Sequence, residues 1–179
     1  MPDGVCEEHR ISQWHVIALC AHGWALSTSG ESEEGLAQIG QGLDGYGGGA
    51  NQHVLLALQA DAQLAAGQPE ATLASVAAGL KGGALLEAEL YRLRGEALFA
   101  STETISDAET AMQHGIGVAR RQNAKSWELR GAMSLARLWA GQGRRTKARD
   151  LLVPVYGWFT EGFDTADLKE AAALLAELA

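Results

Sequence analysis

The chain has 179 residues, of which 47% are hydrophobic and 20% charged, and it carries a net charge of −8. That length suits one domain with a real core, the composition excludes a disordered polar chain, and the acidic balance argues against nucleic acid or an anionic membrane as partner. Three prolines, few β-branched residues and abundant Ala and Leu favour helix over sheet, and the 22 glycines cluster at places such as Gly45, Gly47, Gly48 and Gly49 or Gly82 and Gly83, which predicts connections between helices.

The opening residues MPDGVCEEHR contain no basic stretch leading into an apolar run, and no run of about 18 apolar residues occurs anywhere. Neither an export signal nor a membrane span is expected, and Cys6 and Cys20 are expected as reduced structural thiols of a cytoplasmic protein. Apolar periodicity predicts helices over residues 8–28, 33–44, 51–66, 69–80, 85–100, 106–121, 125–141, 144–158 and 165–178. Short turns at Ser29-Gly30-Glu31, Ala66-Gly67-Gln68, Ser101-Thr102-Glu103 and Gln142-Gly143-Arg144 recur every 35 to 41 residues or so. Seven residues before each turn centre stands a small residue, Gly23, Ala60, Gly95 or Ala136, and two positions on come Ala25, Ala62, Ala97 and Leu138. Small side chains there would let neighbouring helices approach closely. In the second helices, Leu36 with Ile39, Leu73 with Val76, Ala108 with Met112 and Ala148 with Leu152 share one face and would pack back on the first.

These features predict an all-α fold in which one domain over 1–179 forms an α-α superhelix of the tetratricopeptide type. It would consist of four hairpins (8–44, 51–80, 85–121 and 125–158) closed by a capping helix at 165–178. Asp164 would cap that last helix, whose stripe of Leu168, Ala171, Ala172, Leu175 and Leu178 would close the open end. Trp14, Trp24, Trp127, Trp139 and Trp158, grouped at the two ends of the array, suit packing between repeats.

Chemistry-bearing motifs are sparse. Gly40, Gly42 and Gly45 spell G-x-G-x-x-G, but no strand precedes them, so a phosphate cradle is not expected. Cys6, His9, Cys20 and His22 have the right ligand chemistry for zinc, yet Cys20 and His22 would point about 200° apart on a helix. Glu7, Glu8, Glu33 and Glu34 stand at helix starts, where they complement the helix dipole. No nucleophile, base and orienting acid come in a known pattern, so neither catalytic residue nor cofactor nor metal is expected. The charge distribution is more informative. Nine of the 14 basic residues fall between Arg120 and Arg149 against a single acid, Glu128. This stretch is either a solvated helical face or a docking surface for an acidic partner. Arg130 and Arg137 share one face of a first-type helix and would clamp partner carboxylates, with Arg120, Arg121 and Lys125 nearby; alternatively they pair with acids such as Glu96 or Glu103 of the preceding repeat.

Residues 88–99 (AELYRLRGEALF) and 123–178, including the terminal run YGWFTEGFDTADLKEA, resemble the C-terminal tetratricopeptide region of large bacterial signalling proteins that also carry a class III adenylate or guanylate cyclase domain and a predicted ATPase. The resemblance implies a regulatory or protein-binding array, and it brings no catalytic residue to this chain. The function expected is therefore a non-catalytic scaffold that binds a protein or peptide partner in bacterial signalling. The alternatives are a small-molecule-sensing regulatory domain and an enzyme with an unrecognised site.

Overall fold

The computed structural model describes residues 12–46, 51–101 and 105–179, and every regular element among them is an α-helix. In chain order these are α1 (Ser12–Thr28), α2 (Ser32–Tyr46), α3 (Gln52–Ala65), α4 (Pro69–Gly79), α5 (Glu87–Ala100), α6 (Ile105–Gln122), α7 (Lys125–Gly141), α8 (Arg145–Tyr156) and α9 (Ala166–Glu177). They fall where the periodicity places them, with ends shifted by one or two residues; the predicted first turn at 8–11 lies outside the described residues.

The helix stops explain the spacing of the turns. Gly30, Gly67 and Gly143 adopt φ of +101°, +70° and +77°, a conformation that side chains with a Cβ disfavour. Behind each, an N–H reaches back to a carbonyl five residues earlier: Glu31 to Leu26 at 3.0 Å, Gln68 to Gln63 at 2.9 Å and Arg144 to Trp139 at 2.9 Å. This is the Schellman termination. Asn123, at φ +54°, ends α6 in the same way, with Ala124 N–H donating to Ala119 O at 2.9 Å. Thr102 and Glu103 of the third expected turn lie outside the described residues.

The chain divides into two compact units, Met1–Leu86 and Glu87–Ala179. In the first, α1 and α2 pair antiparallel, since Val16 faces Gly42 at one end while Gly23 faces Gly35 at the other. The backbones come so close that a Cβ on Gly35 would stand 2.3 Å from Gly23 O, and one on Gly42 would stand 2.4 Å from Cys20 Sγ. Helix α3 packs on both α1 and α2 and pairs with α4. Trp24 Nε1 donates to Asp61 Oδ2 at 2.8 Å, tying α1 to α3. Val16, Cys20 and Leu55 form a core cluster, flanked by Ile17, Leu43, Tyr46 and Leu58.

The second unit repeats the arrangement. Helices α5 and α6 pair across Gly95, where a Cβ would meet Met112 Cγ at 2.4 Å, and across Gly115, where it would meet Ala88 O at 2.8 Å. Helix α7 packs on both α5 and α6, α8 pairs with α7, and α9 packs on both α7 and α8. Leu90, Leu93, Met112, Leu129, Leu135, Leu138 and Leu152 are fully buried.

Several expectations are confirmed and others corrected. The small residues expected at the helix contacts, Gly23, Ala60, Gly95 and Ala136, are all buried, as are Ala62, Ala97 and Leu138, whereas Ala25 is exposed. Glycines are not mainly connectors: Gly23, Gly35, Gly42, Gly95 and Gly115 lie inside helices, where the missing Cβ permits close approach. Trp139 is buried, but Trp14 and Trp158 are exposed and do not pack as core. At the start of α9 the cap position belongs to Thr165 rather than Asp164, and the Thr165 hydroxyl donates backwards to Gly162 O at 2.7 Å. The buried stripe of the last helix is Leu168, Ala171, Leu174 and Leu178, with Ala172 exposed and Leu175 only partly covered.

The glycine contact makes a sharp test. Gly35→Ala should destabilise the protein by about 3 kcal/mol in urea unfolding, because the methyl meets rigid backbone and α1 and α2 must separate. Gly40→Ala in the same helix meets nothing within 4 Å and should stabilise by about 0.5 to 1 kcal/mol. Equal responses from the two variants would show that the close approach at Gly35 is not what holds the pair.

Candidate docking surface

All five basic residues singled out in the sequence lie in the second unit, on α6 and α7. Arg120 and Arg121 occupy the last turn of α6, Lys125 is the first residue of α7, and Arg130 and Arg137 lie further along it. Two residues along a helix turn the side chain by about 200°, so Glu128 and Arg130 leave α7 in nearly opposite directions. The five therefore do not form one patch.

Arg120 and Lys125 converge on Glu128. Their Nε and Nζ atoms stand 2.8 Å and 2.7 Å from its two carboxylate oxygens, and the Glu128 side chain is almost wholly buried. Burial pushes its carboxyl up, but the hydrogen bonds from Arg120 and Lys125 outweigh that and hold it below its ordinary value. Lys125 also lies 5.5 Å from the centre of the exposed Trp158 ring. Arg121 is exposed.

On the opposite side of α7, the other two arginines join a line of charges that runs from α5 through α7 to α9. On α5, Arg92 binds Glu89 twice, Nε to Oε2 at 2.9 Å and Nη2 to Oε1 at 2.7 Å, while its Nη1 reaches Glu96 Oε1 at 2.8 Å. Glu89 and Arg92 are only 7% and 6% exposed, so this cluster sits in the protein interior. Arg130 Nη1 closes on Glu89 Oε1 at 2.8 Å, and Ser134 Oγ donates to Glu96. Arg137 Nη2 reaches Glu170 Oε1 of α9 at 2.6 Å, a pair that is about half exposed on both sides. Intramolecular pairing thus takes both arginines, with Glu89 and Glu170 as partners. Glu96 instead accepts from Arg92 and Ser134, and Glu103 lies outside the described residues.

A third cluster was not anticipated. Glu109 of α6 accepts from Arg144 at 2.8 Å and from Lys147 at 3.3 Å, and both cations lie over the Trp139 ring, at 5.1 Å and 3.8 Å from its centre. The Arg144 hydrogen bond holds the Glu109 carboxyl below its ordinary value against the opposing effect of burial. Sequence separation hides this contact, which spans 35 residues. The Glu89–Arg92 bond, at i and i+3 on one helix, was readable in principle.

Both lowered carboxyls give a pH dependence with a definite sign. A carboxylate whose folded value lies below its ordinary value near 4.5 adds stability above that value and loses it as the pH falls through the folded value. Melting temperature should therefore drop on acidification below about pH 4.5, and the drop should be shallower in the Glu109→Gln, Glu128→Gln double variant. Parallel curves for the two proteins would show that these carboxylates carry none of the acid sensitivity.

The remaining motifs are placed as follows. Gly40, Gly42 and Gly45 lie within α2 and not at a strand-to-helix turn. Cys20 is buried with Sγ 3.7 Å from Ile39 O, and His22 Nδ1 lies 2.7 Å from Gln38 Oε1; Cys6 and His9 fall outside the described residues. Glu33 and Glu34 occupy the first turn of α2, and Glu7 and Glu8 lie outside the described residues. Among the described residues, no three His, Cys, Asp or Glu side chains gather as a metal site, and no helix is long and apolar enough to cross a membrane. No family model, curated protein or solved structure matches the chain.

Proposed function

We propose that the chain is a non-catalytic helical-repeat module of the tetratricopeptide type that binds a protein or peptide partner, as part of a bacterial signalling protein of the kind its second half resembles. The observation that carries this reading is the packing rule found in both units: each incoming helix lies on both helices of the preceding hairpin, with small residues at the tightest contacts. A hairpin stacked in this way buries only part of its surface and leaves a side-chain-lined face for a ligand chain. In that arrangement α5, α7 and α9 contribute the exposed ends of the charge line, and Glu170 on Arg137 stands where a partner's carboxylate would bind. An acidic segment would displace Glu170 and gain the half-exposed guanidinium, with Arg121 and Arg120 adding long-range attraction.

The test is capture of partners from the native host on immobilised wild type and on an Arg121→Glu, Arg137→Glu variant, both checked by circular dichroism to be folded at the temperature of the experiment. The wild type should retain an acidic partner that the variant loses. Its retention should fall steeply between 50 mM and 500 mM salt, since exposed charges are screened over about 8 Å at 0.15 M. A partner retained equally by both proteins and indifferent to salt would move the site off this surface.

A further inference from the structure

The hairpin of α3 and α4 in the first unit ends in a cleft of about 280 Å³, lined by Gln52, His53, Leu56, Ala78, Lys81 and Gly82. The two helices run antiparallel, so the start of α3 meets the chain leaving α4 at this end. Gly82 passes so close that a Cβ on it would stand 2.8 Å from the His53 Cβ, and its neighbour Lys81 is exposed on the same cleft.

Hydrogen-bond donors collect here without acceptors. The first N–H groups of a helix find no carbonyl within it. In α3, those of Val54 and Leu55 turn to Asn51 O at 2.9 Å and 3.4 Å, but those of Gln52 and His53 have no acceptor among the described residues. The Asn51 side chain makes no capping bond, and the first turn holds no acid. His53 is only 9% exposed, yet neither of its ring nitrogens has a hydrogen-bond partner among the described residues. Leaving a buried polar ring unpaired is costly, and a ligand in the cleft that this ring lines would supply the partner. The facing end of α4 offers little competition, because the carbonyls of Val76, Ala78 and Gly79 already accept from Leu80, Lys81 and Gly82 N–H at 2.9, 3.2 and 3.0 Å.

Charge points the same way. Lys81 is the only lysine or arginine among the described residues of the first unit, and none of the acids described there, Glu31, Glu33, Glu34, Asp44, Asp61 and Glu70, lines the cleft. A cation, an imidazole and the positive end of a helix dipole thus face one space, the arrangement that holds an oxyanion.

We propose that this cleft binds a phosphate group, free or as a small monoester. The N–H groups of Gln52 and His53 and the His53 ring donate to its oxygens, Lys81 pairs with its charge, and Leu56 and Ala78 leave an apolar wall for an ester substituent. The site lies outside the docking surface on α7 and does not depend on it.

The experiment titrates the full chain at fixed pH and a constant ionic strength of about 0.15 M with sodium phosphate, propyl phosphate and, as control, sodium acetate, following the His53 ring protons and the heat of binding. Phosphate or propyl phosphate should shift the ring protons saturably with a Kd of about 1 mM or tighter, and acetate at least about tenfold more weakly. Preference for the inorganic ion would identify free phosphate as the ligand, and preference for the ester a phosphate monoester. Lys81→Gln, at an exposed position outside any ion pair given for the first unit, should weaken binding at least about tenfold, and Lys81→Arg should restore it. Absence of saturable shifts with both phosphates, binding of acetate as tight as phosphate, or binding that Lys81→Gln leaves intact would overturn the assignment.

Discussion

Deletion of residues 164–179 should convert the protein into a self-associating or aggregated species rather than a shorter monomer. Helix α9 buries Leu168, Leu174 and Leu178, together with the fully covered Ala171, on α7 and α8. At about 1.5 to 3 kcal/mol per leucine, this contributes roughly 5 to 9 kcal/mol before ordering entropy is subtracted. That gross figure is comparable to the whole net stability of a typical domain. The same helix holds the second unit by polar contacts: Glu170 pairs with Arg137, and Arg145 donates to Glu177 O. Without it, the faces of α7 and α8 that it covers would meet water. Light scattering and thermal melts of the truncated chain provide the measurement. A monomer that melts like the full protein would show that α9 closes nothing.

The second large effect is expected at Arg92. Its guanidinium makes two bonds to Glu89 and one to Glu96 inside the protein, and Arg130 completes the set on Glu89. Removing one partner of a buried pair leaves a charge without compensation, a loss of about 3 to 5 kcal/mol. Arg92→Ala should therefore lower stability by that amount. The paired change Glu89→Leu, Arg92→Met, which removes both charges while keeping volume, should recover much of the loss. A single variant within 1 kcal/mol of wild type in urea unfolding would mean that the carboxylates find other partners or water.

The helices were legible in the sequence because their signal is local: apolar spacing, glycine stops and charged first turns are properties of adjacent residues. The contact positions were half legible. A small residue before each turn marked Gly23, Ala60, Gly95 and Ala136, but nothing set Gly35, Gly42 and Gly115 apart within their predicted helices, because glycine in a helix reads the same locally whether it weakens the helix or admits a neighbour. What sequence could not assign was pairing. Arg130 and Arg137 were visible as a basic face, yet whether they meet Glu89 and Glu170 or a partner's acids depends on which helices lie beside α7. The Trp139 environment has the same origin, since Glu109, Arg144 and Lys147 come from three places in the chain. At the chain end, Asp164 and Leu175 were each displaced by one residue, Thr165 and Leu174 taking their roles, because the loop before α9 sets the phase of the helix and its geometry has no local periodicity.

The burial of Cys20 gives the first unit a built-in chemical reporter. The thiol is fully covered, lies against Gly42 and Ile39 O, and burial pushes its pKa up, so the reactive thiolate is withheld while α1 and α2 are in contact. Alkylation must wait for the helices to part, and its rate in a Cys6→Ser background measures how often they do. The second unit contains no cysteine, so the label records openings of the first unit alone.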